Sequence, residues 1–244
     1  MNFFAQTDKG KIRKINEDSY FARCYENSHL LAIVADGMGG HNGGKFASEL
    51  AIKVISESFD AFSQTKDVSS PRKIKQNMIS AIKTANKQIF DKANKVDELS
   101  GMGTTVVMCY VKDNTAYVLN IGDSRLYLLN NSITQITKDH SYVNELVEHG
   151  VLNIEDAKNH PQKNLITRAL GTEKDVDADL YEVKIQKGDA LLLCSDGLSN
   201  MLNDEEILNV IKDDSNFEIS IKKLIDSANK NGGKDNITAI LVNV

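Results

Sequence analysis

Four aspartates stand where a sequence can place chemistry. Asp36 follows the apolar run 30–35, Asp123 follows residues 117–122, Asp196 follows residues 191–195, and Asp235 immediately precedes residues 236–240. Continuous apolar runs of this length read as strands buried on both faces, so each carboxylate sits at the rim of a buried strand. Glu17 and Asp18, just ahead of Ser19-Tyr20-Phe21, add two more acids. Gly37, Gly122, Gly197 and Gly232-Gly233 accompany them, as tight turns and close backbone approach require. A single Asp-Gly pair is also ordinary turn chemistry. Four of them at strand rims ask for more, because clustered carboxylates repel one another strongly without cations. Oxygen donors with no His or Cys beside them suit hard ions, Mg2+ or Mn2+, rather than zinc. The D-x-[DN]-x-[DN]-G spacing of a calcium loop is absent.

The elements that must position these acids follow from periodicity. Residues 2–7 and 19–24 read as short strands and residues 29–35 as a buried one, followed by the glycine-rich loop 36–44. A helix comes next, with Phe46, Leu50, Ile52, Val54, Ile55 and Phe59 as its apolar stripe. A second starts at Pro71 with Ser69 or Ser70 as N-cap and runs to about Asn94 through Ile74, Met78, Ala81, Ile82, Ala85 and Ile89. Residues 104–111, 115–121, 125–129 and 133–136 are β-rich runs whose short connections force antiparallel neighbours. Strands at 180–185 and 190–194, helices at 204–211 and 218–229 and a strand at 237–242 complete the order. Residues 141–167 differ: they are polar, hold helical fragments at 141–149 and 154–159, contain Pro161, and read as an inserted flap. The class is α+β, two packed antiparallel sheets with a helix layer outside each. With no internal repeat or linker, residues 1–244 read as one domain.

Composition narrows the function. The formal charge of -5, from 34 acids and 29 bases, disfavours a nucleic-acid partner. There are only five arginines (Arg13, Arg23, Arg72, Arg125 and Arg168), which gives weight to one inside a motif, since Arg alone offers phosphate a planar fork. The apolar runs 30–35 and 190–194 fall far short of the ~18 residues of a membrane span, and the first residues lack a basic signal region, so a soluble cytoplasmic protein is expected. Cys24, Cys109 and Cys194 cannot all pair, which suits a reducing compartment. None has an arginine six residues on, so a phosphocysteine mechanism is disfavoured. His29, His140, His149 and His160 lack metal spacing and read as surface or loop residues. Asp175-Val176-Asp177-Ala178-Asp179 reads as an exposed turn. Arg125 is expected to pair with an acid at its strand start, and Arg168 to anchor the flap's return to the sheet.

Arg13-Lys14-Ile15-Asn16-Glu17-Asp18, Asp36-Gly37-Met38-Gly39-Gly40-His41, Gly101-Met102-Gly103-Thr104-Thr105, Gly122-Asp123-Ser124-Arg125, Ser195-Asp196-Gly197-Leu198 and Gly233-Lys234-Asp235-Asn236-Ile237-Thr238 resemble, in order and over essentially the whole chain, the motifs of metal-dependent protein phosphatases of the PPM (type 2C) family. The compact length and the Asp36 motif resemble its bacterial branch, whose usual partners are eukaryotic-like Ser/Thr kinases. The resemblance implies a β-sandwich flanked by helix pairs and a flap at 141–167. It implies hydrolysis of phosphoserine and phosphothreonine by a metal-activated water. Asp36 would bridge two tight Mn2+ or Mg2+ ions and the Gly37 carbonyl would bind the first. Asp196 and Asp235 would hold the second, with Glu17 and Asp18 in its shell through water. Asp123, with Asp196, matches a weaker third site, and Arg13 matches the arginine that grips the substrate phosphate.

Two positions depart from the family pattern. Met38 stands where eukaryotic members carry a histidine proposed as general acid, so the leaving-group proton donor is unassigned, and His41 nearby is open to a structural or a functional role. Lys45 replaces a common acid, with only a surface effect expected. Two other readings remain. A two-metal phosphodiesterase or nuclease is disfavoured by the acidic charge, and a non-catalytic phosphoprotein-binding module by intact Asp36, Asp196 and Asp235. The expected partners are phosphorylated proteins, a Ser/Thr kinase among them, with no nucleic acid or membrane and a monomeric chain.

Overall fold

The computed structural model describes residues 1–26, 29–40, 42–158, 160–213 and 216–244. Among them the strands are β1 (Asn2–Asp8), β2 (Asp18–Tyr25), β3 (His29–Met38), β4 (Gly103–Thr104), β5 (Val106–Lys112), β6 (Thr115–Ile121), β7 (Arg125–Leu129), β8 (Ile133–Gln135), β9 (Asp179–Lys184), β10 (Ala190–Cys194) and β11 (Ile237–Asn243). The helices are α1 (Gly43–Ser63), α2 (Pro71–Ala93), α3 (Tyr142–Glu148), α4 (Ile154–Lys158), α5 (Asp196–Ser199), α6 (Asp204–Lys212) and α7 (Phe217–Lys230). One sheet has the order β1-β11-β10-β7-β8 and the other β2-β3-β5-β6-β9, with β4 paired to the end of β3. Every pairing is antiparallel.

Alternation along the strands builds three apolar layers. Leu31, Ile33 and Ala35 of β3, with Met108 and Tyr110 of β5, pack under α1 and α2 against Ile55, Phe59, Met78 and Ile82. The opposite phase, Leu30, Ala32 and Val34, meets Leu191, Leu193, Ile240 and Val242 of the other sheet. That sheet's outer face, with Leu192, Cys194, Ala239 and Leu241, is covered by Ile207 and Ile211 of α6 and Ile221, Leu224 and Ile225 of α7. The central strands are therefore buried on both faces, which is why they read as unbroken apolar runs. The four layers are those anticipated, helix pair, sheet, sheet, helix pair. Among the described residues no helix is long and apolar enough to cross a membrane.

Several local expectations shift. β3 does not stop at Ala35 but continues through Asp36 to Met38, because β4 pairs with Gly37 and Met38. The buried stripe of α1 is Ala47, Ala51, Ile55, Phe59 and Phe62, while Phe46, Leu50, Ile52 and Val54 flank it half-buried. Small alanines at Ala47 and Ala51 bring the N-terminal half of the helix close to the sheet, so Phe46 and Leu50 are displaced to its flank while Phe59 and Phe62 stay buried further along. Ser70 caps α2 by accepting from the Lys73 amide. His29 and His140, expected at the surface or in loops, are buried at 2% and 5% exposure. His29 bonds the Tyr110 hydroxyl and His140 accepts from the Gly122 amide, so each is a partnered core group. Asp179 is no turn residue; it opens β9 and pairs with Arg168.

The flap carries α3 and α4, and its two ends are zipped together. Ser141 bridges Ile166, the Tyr142 amide donates to the Leu165 carbonyl (2.8 Å), and the Thr167 amide donates to the His140 carbonyl (2.9 Å). Elsewhere, one buried hydroxyl joins the sheets. Ser195 Oγ donates to Asp18 Oδ2 (2.7 Å) and accepts from the Thr238 amide (3.0 Å). Ser195→Ala strands a buried amide and removes a bond to a carboxylate, so we expect a loss of about 2–4 kcal/mol in urea unfolding of the EDTA-treated protein. A change below about 0.5 kcal/mol would show that the sheets do not depend on this bridge.

Candidate active site

Asp18 and Asp36 meet because they share the inner-face phase of their strands. Asp36 continues the series Leu30, Ala32, Val34 beyond the end of the inter-sheet core. Asp18 lies directly opposite it on β2. Like charges facing each other across a ladder are destabilising, so this register is a cost that the rest of the fold carries. Gly37 lets α1 close on the same point, since a Cβ there would lie 2.1 Å from the Gly44 carbonyl oxygen and 2.7 Å from that of Glu17. The Glu17 carboxylate thereby reaches the N-terminus of α1, where the Lys45 and Gly44 amides favour its charge.

The other acids arrive on loops fixed by hydrogen bonds. Thr105 donates its amide to the Asp36 carbonyl (2.8 Å), and its hydroxyl accepts from the Asp36 amide and bonds Ser124 Oγ, tying the strand to the Asp123 turn. That turn needs Gly122 at φ +106. Asp196 begins α5, with Oδ2 accepting from Asn200 (2.9 Å). Gly197 packs against the Asn236 carbonyl, which a Cβ would approach to 1.9 Å. Asp235 takes a 2.7 Å ion pair from Arg13, whose side chain is 51% exposed.

Crowding decides the electrostatics. Burial, then Asp18, Asp196, Asp123 and Asp235, hold the Asp36 carboxyl well above the usual carboxylate range. Burial pushes Asp18 up to about 7, against bonds from Thr238 and Ser195. Asp196 rises to about 6 through burial and Asp235, and Asp123 rises through burial, Asp196 and Asp139. Glu17 is raised by burial alone in the main. Against these acids stands Arg13, its own charge reinforced by Asp235. Three buried oxygens, Glu17 Oε1, Asp18 Oδ1 and Asp196 Oδ1, have no hydrogen-bond donor. Unpartnered, mutually repelling carboxylate oxygens fit a hard divalent cation and nothing softer. Among the described residues no three acidic, His or Cys side chains close into a ready-made cage.

The structure thus brings Asp18, Asp36, Asp123, Asp196 and Asp235 into one field, with Glu17 and Arg13 at its edge. His41 lies outside the described residues. Arg125 is spoken for, forking onto Asp139 at 3.0 and 2.7 Å, and Arg168 pairs with Asp179 at 3.1 Å, both as structural links. Sequence reasoning missed the residues that hold the cluster, Thr105, Ser124, His140, Ser195 and Asn236. Each but His140 lies inside a quoted motif, so the signal was position beside an acid rather than reactivity.

A family model described as Protein phosphatase 2C matches residues 11–242. The serine/threonine phosphatase stp of Listeria welshimeri serovar 6b is 42% identical over 97% of this chain and 93% of its own length. The S. agalactiae serine/threonine phosphatase structure superposes with a TM-score of 0.92 at 36% identity, covering 100% of this chain and 99% of that one. The catalytic domain of the serine/threonine protein phosphatase PstP, solved in complex with two manganese ions, gives 0.83 at 34% identity, covering 99% and 97%. Sandwich and carboxylate end alike define a phosphatase fold. The chain belongs to the protein phosphatase 2C family and is an enzyme, a serine/threonine phosphatase of that type.

Carboxyls with raised pKa values hold protons in the folded state that they release on unfolding. Asp18, at about 7 against an ordinary 3.8, makes metal-free stability fall as pH rises across that window. We therefore expect Asp36→Asn to melt roughly 3–6 °C above the parent at pH 8 in EDTA, and nearly with it at pH 5. Calorimetry showing Asp36→Asn less stable at both pH values would mean that the carboxylate is held by favourable partners.

Proposed function

We propose that this phosphatase hydrolyses phosphoserine and phosphothreonine monoesters with a metal-activated water and opposes a eukaryotic-like Ser/Thr kinase. The observation that carries it is the set of buried acids with three donorless oxygens beside one arginine. Asp36, with help from the Gly37 carbonyl, would hold two tight ions. Asp196 and Asp235 would hold the second, Glu17 and Asp18 would support it, and Asp123 with Asp196 would take a weaker third. Mn2+ or Mg2+ bound there supplies charge neutralisation and a water acidic enough to deprotonate near neutral pH.

The chain's own groups do the rest. Arg13 is held over the acids by Asp235, and once that charge is shared it forks onto the substrate phosphate. The two core cysteines are held as thiols: burial pushes Cys194 up to about 12 and raises Cys109 further. Met38 has no proton to give, so Asp123 is assigned to hold the water that protonates the leaving oxygen. The flap, polar and zipped at its base, governs access by phosphoproteins. Residues 1–244 act as one catalytic domain, monomeric and cytoplasmic.

Hydrolysis of p-nitrophenyl phosphate should require Mn2+ and stop in EDTA, with a bis-ester analogue untouched. Asp123→Ala should slow a phosphothreonine peptide at least about 10-fold more than p-nitrophenyl phosphate, whose good leaving group needs less protonation. Turnover that survives EDTA would refute the metal reading; equal slowing of both substrates would remove Asp123 from proton supply.

A further inference from the structure

Segment 9–15 is a fixed lip beside the acids. Asn236 pins both its ends, its Nδ2 donating to the carbonyls of Lys9 and Ile15, each at 2.9 Å, while its Oδ1 accepts from the Glu17 amide at 2.8 Å. The middle is tied to the facing turn, where the Lys11 and Ile12 amides donate to the Gly233 carbonyl at 2.8 and 3.3 Å. The two backbones touch: a Cβ at Gly10 would lie 2.2 Å from the Asp235 carbonyl oxygen. The Arg13–Asp235 pair closes the junction.

What the lip presents is positive charge. Lys9, Lys11, Arg13 and Lys14 fill four of the six positions 9–14, no acid occurs from residue 9 to residue 16, and Lys234 stands on the facing turn. All five are exposed. Arg13 is answered by Asp235, but among the described residues none of the four lysines has an ion-pair partner. Asp8, the neighbouring acid on β1, is half-buried and commits Oδ1 to the Gly10 amide and Asn229. Between the lysines Ile12 projects 69% exposed, an apolar contact inside the charged patch. Such a ridge is out of keeping with a chain of formal charge -5, and it abuts the arginine assigned to the reacting phosphate.

We propose that this basic lip selects phosphopeptides that carry further negative charge beside the scissile phosphoester, either acidic side chains or a second phosphate. The inference rests on the phosphomonoesterase reading of the neighbouring site. Exposed lysines act at a rim, where charge sets encounter and KM more than the chemical step. A lipid surface is the lesser candidate, because a membrane lying on the lip would also cover Arg13.

The test is kcat/KM for phosphothreonine peptides with acidic, neutral or basic flanks, and for one with a second phosphoserine. Wild type is compared with the combined Lys11→Glu, Lys14→Glu and Lys234→Glu variant. Wild type should favour the acidic or doubly phosphorylated peptides over the basic one by about 10-fold at low salt, mostly through KM, and the variant should lose or invert that order. The preference should shrink as salt shortens the screening length from about 10 Å at 0.1 M toward about 3 Å at 1 M. Whether the acidic or the doubly phosphorylated peptide ranks first tells which anion the lip reads. p-Nitrophenyl phosphate should turn over within about two-fold in both proteins, since a compound with no flank makes no rim contact. Equal kcat/KM across flanks in wild type, or a preference that survives the reversal, overturns the proposal. So does binding to phosphatidylglycerol vesicles with no peptide preference. Absence of p-nitrophenyl phosphate turnover in the wild type would count instead against the phosphomonoesterase reading.

Discussion

Mutual repulsion among half-buried carboxylates at one end of the sandwich is the constraint on which the rest depends. Asp18 and Asp36 face each other across a strand pair, and Asp123, Asp196 and Asp235 share their field. A fold with only that end would not form well. What carries it is the far larger apolar body, three layers in which Leu30 to Ala35, Val106 to Val111 and Leu191 to Cys194 are fully buried. The strain is local and the stability is distributed, an arrangement typical of a site that trades folding energy for function.

The acids are placed by hydrogen bonds rather than by their own preferences. Ser195 holds Asp18 from the opposite sheet, Thr105 ties the Asp36 backbone to the Asp123 turn, and Asn236 fixes Glu17 and the lip together. None of these groups is a chemical reactant. They explain why the acids sit inside tight turns with little freedom to spread apart and relieve their repulsion. A cation that neutralises them therefore meets acids already held near one another, which lowers the ordering cost of binding.

Much of this was legible in the chain itself. Strands buried on both faces announce themselves as unbroken apolar runs, and Pro71 after Ser70 marks a helix start, because both signals are local. Asp36, Asp123, Asp196 and Asp235 were legible because each adjoins such a run. The buried face of α1 was misjudged, since Ala47 and Ala51 were chosen by the closeness of the sheet rather than by hydrophobicity. β3 was cut short at Ala35 because its continuation depends on a partner about 65 residues away in β4. His29 was misplaced for the same reason, its burial depending on the distant Tyr110 hydroxyl, while His140 does lie in a loop but is buried there against the Gly122 amide.

The most direct test of a cation-dependent carboxylate cluster is proton release on metal binding. Titration calorimetry of the EDTA-stripped, dialysed protein with Mn2+, in buffers of different ionisation heat, counts the protons displaced. With Asp18 near 7, Asp196 near 6 and the Asp36 and Asp123 carboxyls also raised by burial and their neighbours, binding at pH 6 should release at least about one proton per chain, and fewer as pH rises. Tight binding with no proton exchange at pH 6, or no binding at all, would contradict a site organised around mutually repelling acids.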